Sequence, residues 1–138
     1  MSGLHHLGDI LAGMIPKLQP EVFVFATFES REAAQTLPYQ MLFEEAEGIT
    51  LILRQNDADK AGLSYEFPCR MITLDVHSAL AAVGFMALIT ERLASKGISV
   101  NPVSGFYHDH LFIPEAQAEE AVDLLMDMVR SGIDHPEK

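Results

Sequence analysis

The sequence predicts an α+β protein of two ferredoxin-like halves, each of the βαββαβ type, packed as one compact unit with antiparallel sheets and helices on one face. Three observations predict it. A chain of 138 residues, 49% of them hydrophobic, can bury a core, and its length suits one compact unit or two very small ones. The second half alternates strand, helix, strand, strand, helix, which is most of a split β-α-β unit lacking only its terminal strand. The first half offers a hairpin followed by a helix and a strand, so its last strand can join the same sheet or a second small one. The join falls near residues 64–70, dividing the chain into an N-terminal half, 1–64, and a C-terminal half, 65–138. No Gly- or Ser-rich run marks it, so the halves are expected to pack rigidly.

Taken in order, Leu4, Leu7, Leu11 and Met14 recur at three- and four-residue intervals and predict a short helix ending before Pro16. Pro16 and Pro20 punctuate, and the β-branched and aromatic run from Val22 to Phe28 predicts a buried strand. A polar stretch, Glu29 to Pro38, follows. Met41 to Ala46 and Ile49 to Leu53 flank Glu47-Gly48 at the spacing of a tight hairpin, with Gly48 free to take a positive φ. Asn56 is a cap for a short helix closed by Gly62. Met71 to Val76 reads as a central strand. Phe85, Leu88, Ile89 and Leu93 form a helical stripe stopped by Gly97. Ile98 to Phe106 and His110 to Ile113 are strands around Tyr107-His108-Asp109, and Pro114 opens a helix with Ala118, Ala121, Val122, Leu125 and Val129 on one face.

Twenty acidic residues against nine Lys plus Arg leave a net charge of -11, which repels a phosphate backbone or an anionic lipid surface, so no nucleic acid and no membrane is expected as a partner. The single cysteine, Cys69, has no internal disulfide partner, which fits a reducing compartment and predicts a cytoplasmic protein. The first fifteen residues lack a basic flank and are broken by Gly3, Gly8 and Gly13, unlike a signal peptide.

Chemistry concentrates at two places. Where Met71 to Val76 hands over to the helix, Gly84 fits its first turn, and the unpaired amides from Val83 to Met86 can cradle a carboxylate, with Ser78 adding a hydroxyl. The same glycine equally suits close helix-to-sheet packing. In the following strand pair, Pro102 has no amide hydrogen and marks an edge or a bulge, Gly105 suggests close approach, and the Asp109 carboxylate can hold an ammonium group. His108 and His110 lie two apart, on one strand face and within reach of one metal ion, with His77 or Asp109 as a third ligand. A regular strand turns Asp109 to the other face, so no metal is expected. Cys69, beside Arg70, reads as a buried inert thiol. Carboxylate pairs such as Glu44-Glu45 fall on solvated faces, and no P-loop, dinucleotide fingerprint or H-E-x-x-H occurs.

Three blocks carry a family resemblance: Phe67-Pro68-Cys69-Arg70-Met71-Ile72-Thr73-Leu74, His77-Ser78-Ala79-Leu80-Ala81-Ala82-Val83-Gly84-Phe85, and the stretch from Gly105 through His108-Asp109-His110 to Pro114. They resemble the ACT-domain proteins of the small bacterial family known as DUF2241, stand-alone tandem ACT units. The region is also similar to the ACT domain of the cytosolic arginine sensors of animals, where a Ser-x-Leu-x-x-Val-Gly turn and a Thr-Asp pair help form an amino-acid pocket. The resemblance implies a regulatory ligand-binding fold. Carried over by position, Ser78, Leu80, Val83, Gly84 and Phe85 form the turn, and Gly105, Phe106, Tyr107, His108 and Asp109 face it from neighbouring strands. The common Asp-x-Pro-Gly turn stands here as Ala81-Ala82-Val83-Gly84, and His108 takes the place of Thr, which leaves the identity of the amino acid open.

The expectation is therefore a non-catalytic regulatory protein that binds an amino acid without a cofactor and forms a homodimer. Its alternative is an interaction module using the edge around Pro102 and the surface of Phe106 and Tyr107. A metal-assisted hydrolase built on His108 and His110 is the third class.

Overall fold

Two long strands organise the chain. In the computed structural model, which describes residues 3–76 and 83–131, α1 (Gly3–Ala12) leads into the fourteen-residue β1 (Ile15–Phe28), followed by α2 (Arg31–Ala34), β2 (Met41–Glu44), β3 (Ile49–Arg54) and α3 (Gln55–Lys60). The ten-residue β4 (Glu66–Asp75) comes next, then α4 (Phe85–Ser95), β5 (Asn101–Ser104), β6 (Asp109–Pro114), a 3-10 turn (Glu115–Gln117) and α5 (Ala118–Ser131). Strand order is β2-β3-β1-β4-β6-β5.

The described residues form two compact units, one holding those up to Gln19 and from Met71 onward, the other running Pro20–Arg70. We call them the split and the continuous unit. Compactness thus groups the chain differently from a division at residue 64. In the continuous unit the chain runs β1, α2, β2, β3, α3, β4; β3 pairs antiparallel with β1 from Phe23↔Arg54 to Phe28↔Ile49, and with β2 from Met41↔Ile52 to Glu44↔Ile49. In the split unit β4, α4, β5, β6 and α5 supply all but the terminal strand of a ferredoxin-like motif. That strand is residues 15–19, the beginning of β1. Each motif therefore has its first and last strands side by side, and both use β1 and β4.

This sharing explains where the punctuation misled. Pro16 and Pro20 lie inside β1, because pairing with β3 begins only at Phe23 and the missing amide hydrogens upstream have no β3 acceptor to serve. Pro68 likewise lies inside β4, next to Phe67 at φ 62. Pro102 pairs with Leu111 on β5, at the sheet edge. The polar stretch contains α2, capped by Ser30, whose hydroxyl accepts the Ala33 amide at 3.2 Å. The hairpin turn is four residues, 45–48, closed by the Glu45 amide on the Gly48 carbonyl at 2.9 Å. Gly48 does not take a positive φ; a Cβ there would lie 2.9 Å from the Phe28 carbonyl oxygen. Arg54, not Asn56, is the N-cap of α3. Pro114 ends β6, and the 3-10 turn intervenes before α5.

Two cores form. In the split unit Leu11, Met14, Ile72, Leu74, Phe85, Ile89, Leu93, Leu111, Ile113, Ala121, Leu125 and Met128 pack together. Of the first helical stripe, Leu11 and Met14 are 2% exposed, and Leu4 has a side chain outside the described residues. In the continuous unit Val24, Ala26, Leu51, Leu53, Ala34 and Ala58 pack together.

Candidate functional site

The helix that follows β4 starts at a glycine. His77, Ser78 and Leu80 lie outside the described residues, and the chain resumes at Val83, 84% exposed. Gly84 is the N-cap of α4 at φ 92, a left-handed conformation that costs an L-residue about 1–2 kcal/mol. Its carbonyl accepts the Leu88 amide at 3.0 Å. The first-turn amides of a helix have no intrahelical partner and carry the positive end of its dipole, and no acidic side chain occupies the first turn of α4. Phe85 is 2% exposed and packs in the core with Ile89 and Leu93.

The loop between β5 and β6 is closed by the Gly105 amide on the His108 carbonyl at 2.9 Å. A Cβ at Gly105 would meet that carbonyl oxygen at 3.1 Å, so a side chain there would crowd the loop. Phe106 and Tyr107 stack edge to face at 5.1 Å and stand 79% and 78% exposed. Asp109 begins the row Asp109, Leu111, Ile113, whose later members are core residues on the helix-covered side of the sheet. The carboxylate therefore shares that side with α4, and it accepts the Ser104 hydroxyl at 2.6 Å.

His108 and His110 alternate to the opposite side, their ring centroids 6.5 Å apart. There the fold assembles a polar row. The Gln19 side-chain amide donates to Thr73 Oγ1 at 3.2 Å, and Thr73 Oγ1 lies 3.1 Å from His110 Nδ1. Beside it Lys17 Nζ meets Asp75 at 2.7 Å. Lys17 holds the Asp75 carboxyl below its ordinary range, helped by the charge of His108. Burial pushes the His110 imidazole below its ordinary value, His108 adds to the effect, and Asp109 opposes it. Among the described residues His108 Nδ1 is buried without a hydrogen-bond partner. Sequence reasoning missed Lys17, Gln19, Thr73 and Asp75. The available signal was a threonine inside the apolar run Met71 to Val76.

Other candidates stand apart from these two places. Among the described residues no three His, Cys, Asp or Glu side chains are grouped to hold a metal ion. Cys69 is fully buried, donates to the Phe23 carbonyl at 3.3 Å, and burial pushes its thiol up to about 12. It is no nucleophile in the folded chain. A cleft of about 370 Å³ bordered by Thr27, Thr50, Tyr65 and Glu66 and one of about 420 Å³ bordered by Tyr39, Gln40, Arg54 and Asp57 both lie in the continuous unit. No helix among the described residues is long and apolar enough to cross a membrane.

Two ferredoxin-like motifs in tandem define the class of fold, and sequence comparison agrees. One ACT-domain family model matches residues 2–70 and another matches residues 66–127. The chain belongs to the ACT-domain proteins. A solved structure of a Vibrio cholerae protein of unknown function, described as a possible transport protein, is 36% identical, covers 93% of this chain and 99% of that one, and superposes with a TM-score of 0.84. The aspartate kinase of Clostridium acetobutylicum shares the fold at 12% identity and a TM-score of 0.65, over 87% of this chain and 35% of that one. The ligand-free regulatory subunit of aspartate kinase from Thermus thermophilus does so at 11% identity and 0.62, over 81% and 94%. No curated protein matches the chain. ACT domains are commonly regulatory, amino-acid-binding modules.

Proposed function

We propose that this is a non-catalytic regulatory protein whose C-terminal ACT half, 65–138, binds a free amino acid, the half from 1–64 being its ACT-like companion. The ligand carboxylate sits on the first-turn amides of α4, reached over Ser78, Leu80, Val83 and Gly84 and including the Phe85 amide. Its ammonium group meets Asp109, and Gly105, Phe106, Tyr107 and His108 border its side chain. The observation that carries this reading is Gly84 at φ 92, which starts α4 on the same side of the sheet as the Asp109 carboxylate. The protein acts as a homodimer in the cytoplasm, a reading supported by its two free sheet edges and its single buried thiol.

Calorimetric titration of the intact protein with the common amino acids tests it. One of them should bind, and Asp109→Ala should abolish binding while leaving the thermal transition in place. Unchanged affinity in that variant removes Asp109 from the site.

Exposure supports a second reading. Val83, Phe106 and Tyr107 are each more than three-quarters exposed, and β5 is an edge strand, so a partner chain could cover this surface without any metabolite. A concentration-dependent dimer indifferent to every amino acid would favour that interaction module.

A further inference from the structure

The row of side chains opposite the helices reaches the 105–109 loop through His110. The Gln19 amide nitrogen can only donate, so Thr73 Oγ1 accepts from it and has its own hydrogen free for His110 Nδ1. In the neutral tautomer with its proton on Nε2, His110 presents Nδ1 as an acceptor and the chain runs from Gln19 to Thr73 to His110. The His110 ring in turn underlies the loop, since a Cβ on Gly105 would lie 3.6 Å from His110 Nε2 and 3.7 Å from Cδ2. The loop is short and tied across its ends by the Gly105 amide on the His108 carbonyl and by the Ser104 hydroxyl on Asp109, so the ring beneath Gly105 is placed to move the residues that follow it.

We propose that His110 is a positioning residue for the 105–109 loop, and that protonating it displaces the loop and weakens ligand binding there. The binding half of this statement rests on the amino-acid reading above; the positioning half does not. Protonation reverses the last link, because a charged imidazole carries a hydrogen on both nitrogens and Thr73 then faces a donor where it had an acceptor. The charged groups acting on His110 are His108 and, from the other face of the strand, Asp109, and the Asp75–Lys17 pair from β4 and β1 stands beside the row and interacts with His108. The His108 ring, its centroid 6.5 Å away, further disfavours the charged form of His110. The partly buried setting of His110 disfavours the charged form, so the loop is held at neutral pH and released as pH falls through the His110 midpoint, below the ordinary histidine value of about 6.5.

Proton-titration NMR of the intact, ligand-free protein from about pH 8 to about pH 5 tests it. The backbone amides of residues 105–109 should move with one midpoint, matching that of the His110 ring. His110→Asn keeps an acceptor for Thr73 but cannot titrate, and its loop amides should stay at their neutral-pH positions throughout. It retains His108, Asp109, Asp75 and Lys17, so loop titration that survives in H110N belongs to them and overturns the proposal. Thr73→Val should bring the loop amides toward their acid positions even at neutral pH, and Thr73→Ser should restore them. A folded T73V with unchanged loop amides also overturns it; should T73V fail to fold, H110N still decides. Where an amino acid binds, its affinity should fall severalfold on acidification in the wild type and hold constant in H110N. If none binds at any pH, the binding reading fails while the ligand-free titration still judges the positioning role.

Discussion

At the scale of single residues, two positions are held by local physics strong enough to measure. Gly84 sits at φ 92, and a Cβ there would meet Leu7 Cδ1 at 3.3 Å. Leu7 is a flexible side chain that can give way, so the backbone is what resists substitution. Gly84→Ala should lower stability by about 1–2 kcal/mol, seen as a fall of several degrees in Tm, and should weaken any ligand seated on the α4 amides. Cys69 is the second such position. Its thiol is fully buried and held protonated to about 12, whereas an unfolded thiol ionises near pH 8.5. The folded state thus binds the proton more tightly, and the associated stability is complete below the unfolded value and lost as pH rises through it toward the folded one. A chromogenic disulfide reagent at mildly alkaline pH should leave native Cys69 unmodified and react fully once denaturant is added. Much of this was readable in sequence, since a glycine after a strand and before an apolar stripe announces a helix start. The φ at Phe67 was not, because nothing local asks a bulky residue before a proline to take a left-handed backbone.

At the scale of elements, α4 and α5 were legible because their stripes recur at helical spacing and both pack by them: Phe85, Ile89 and Leu93 on one, Ala118, Ala121 and Leu125 on the other are buried. Met128 joins the second stripe and was missed, while Val122 and Val129 only border the core. β1 and β4 were half-read. Each was recognised by its apolar run and cut short at a proline, since sequence alone does not reveal on which side of a strand a hydrogen-bond partner is absent. Successive contacts between the two strands step up one and down the other: Lys17 with Asp75, Gln19 with Thr73, Phe23 with Cys69, Phe25 with Phe67. They define an antiparallel pair that runs through the prolines.

At the scale of the whole molecule, the split unit depends on residues that precede the continuous unit in the chain. Ile10, Leu11 and Met14 belong to its core, and three side chains buried at roughly 1.5–3 kcal/mol each rival the total stability of a typical domain, about 5–15 kcal/mol. A fragment starting at residue 65 also lacks the strand at 15–19. It should therefore show no cooperative thermal transition by circular dichroism, where the full chain shows one. A sharp transition in that fragment would mean that α1 and the start of β1 are dispensable.

What the sequence determined by itself is local: the helical stripes, the apolar strand runs, the glycine stops, the glycine start of α4, and the three blocks that carry the ACT resemblance. These are set by side-chain periodicity and backbone preference within a few residues. Only the tertiary structure decided that the last strand of one motif is the beginning of β1, and that Gln19, Thr73 and His110 meet across three strands. Those choices join residues more than thirty positions apart. They are made by which strand edges pair and which faces are buried, a competition among distant segments that no local pattern records.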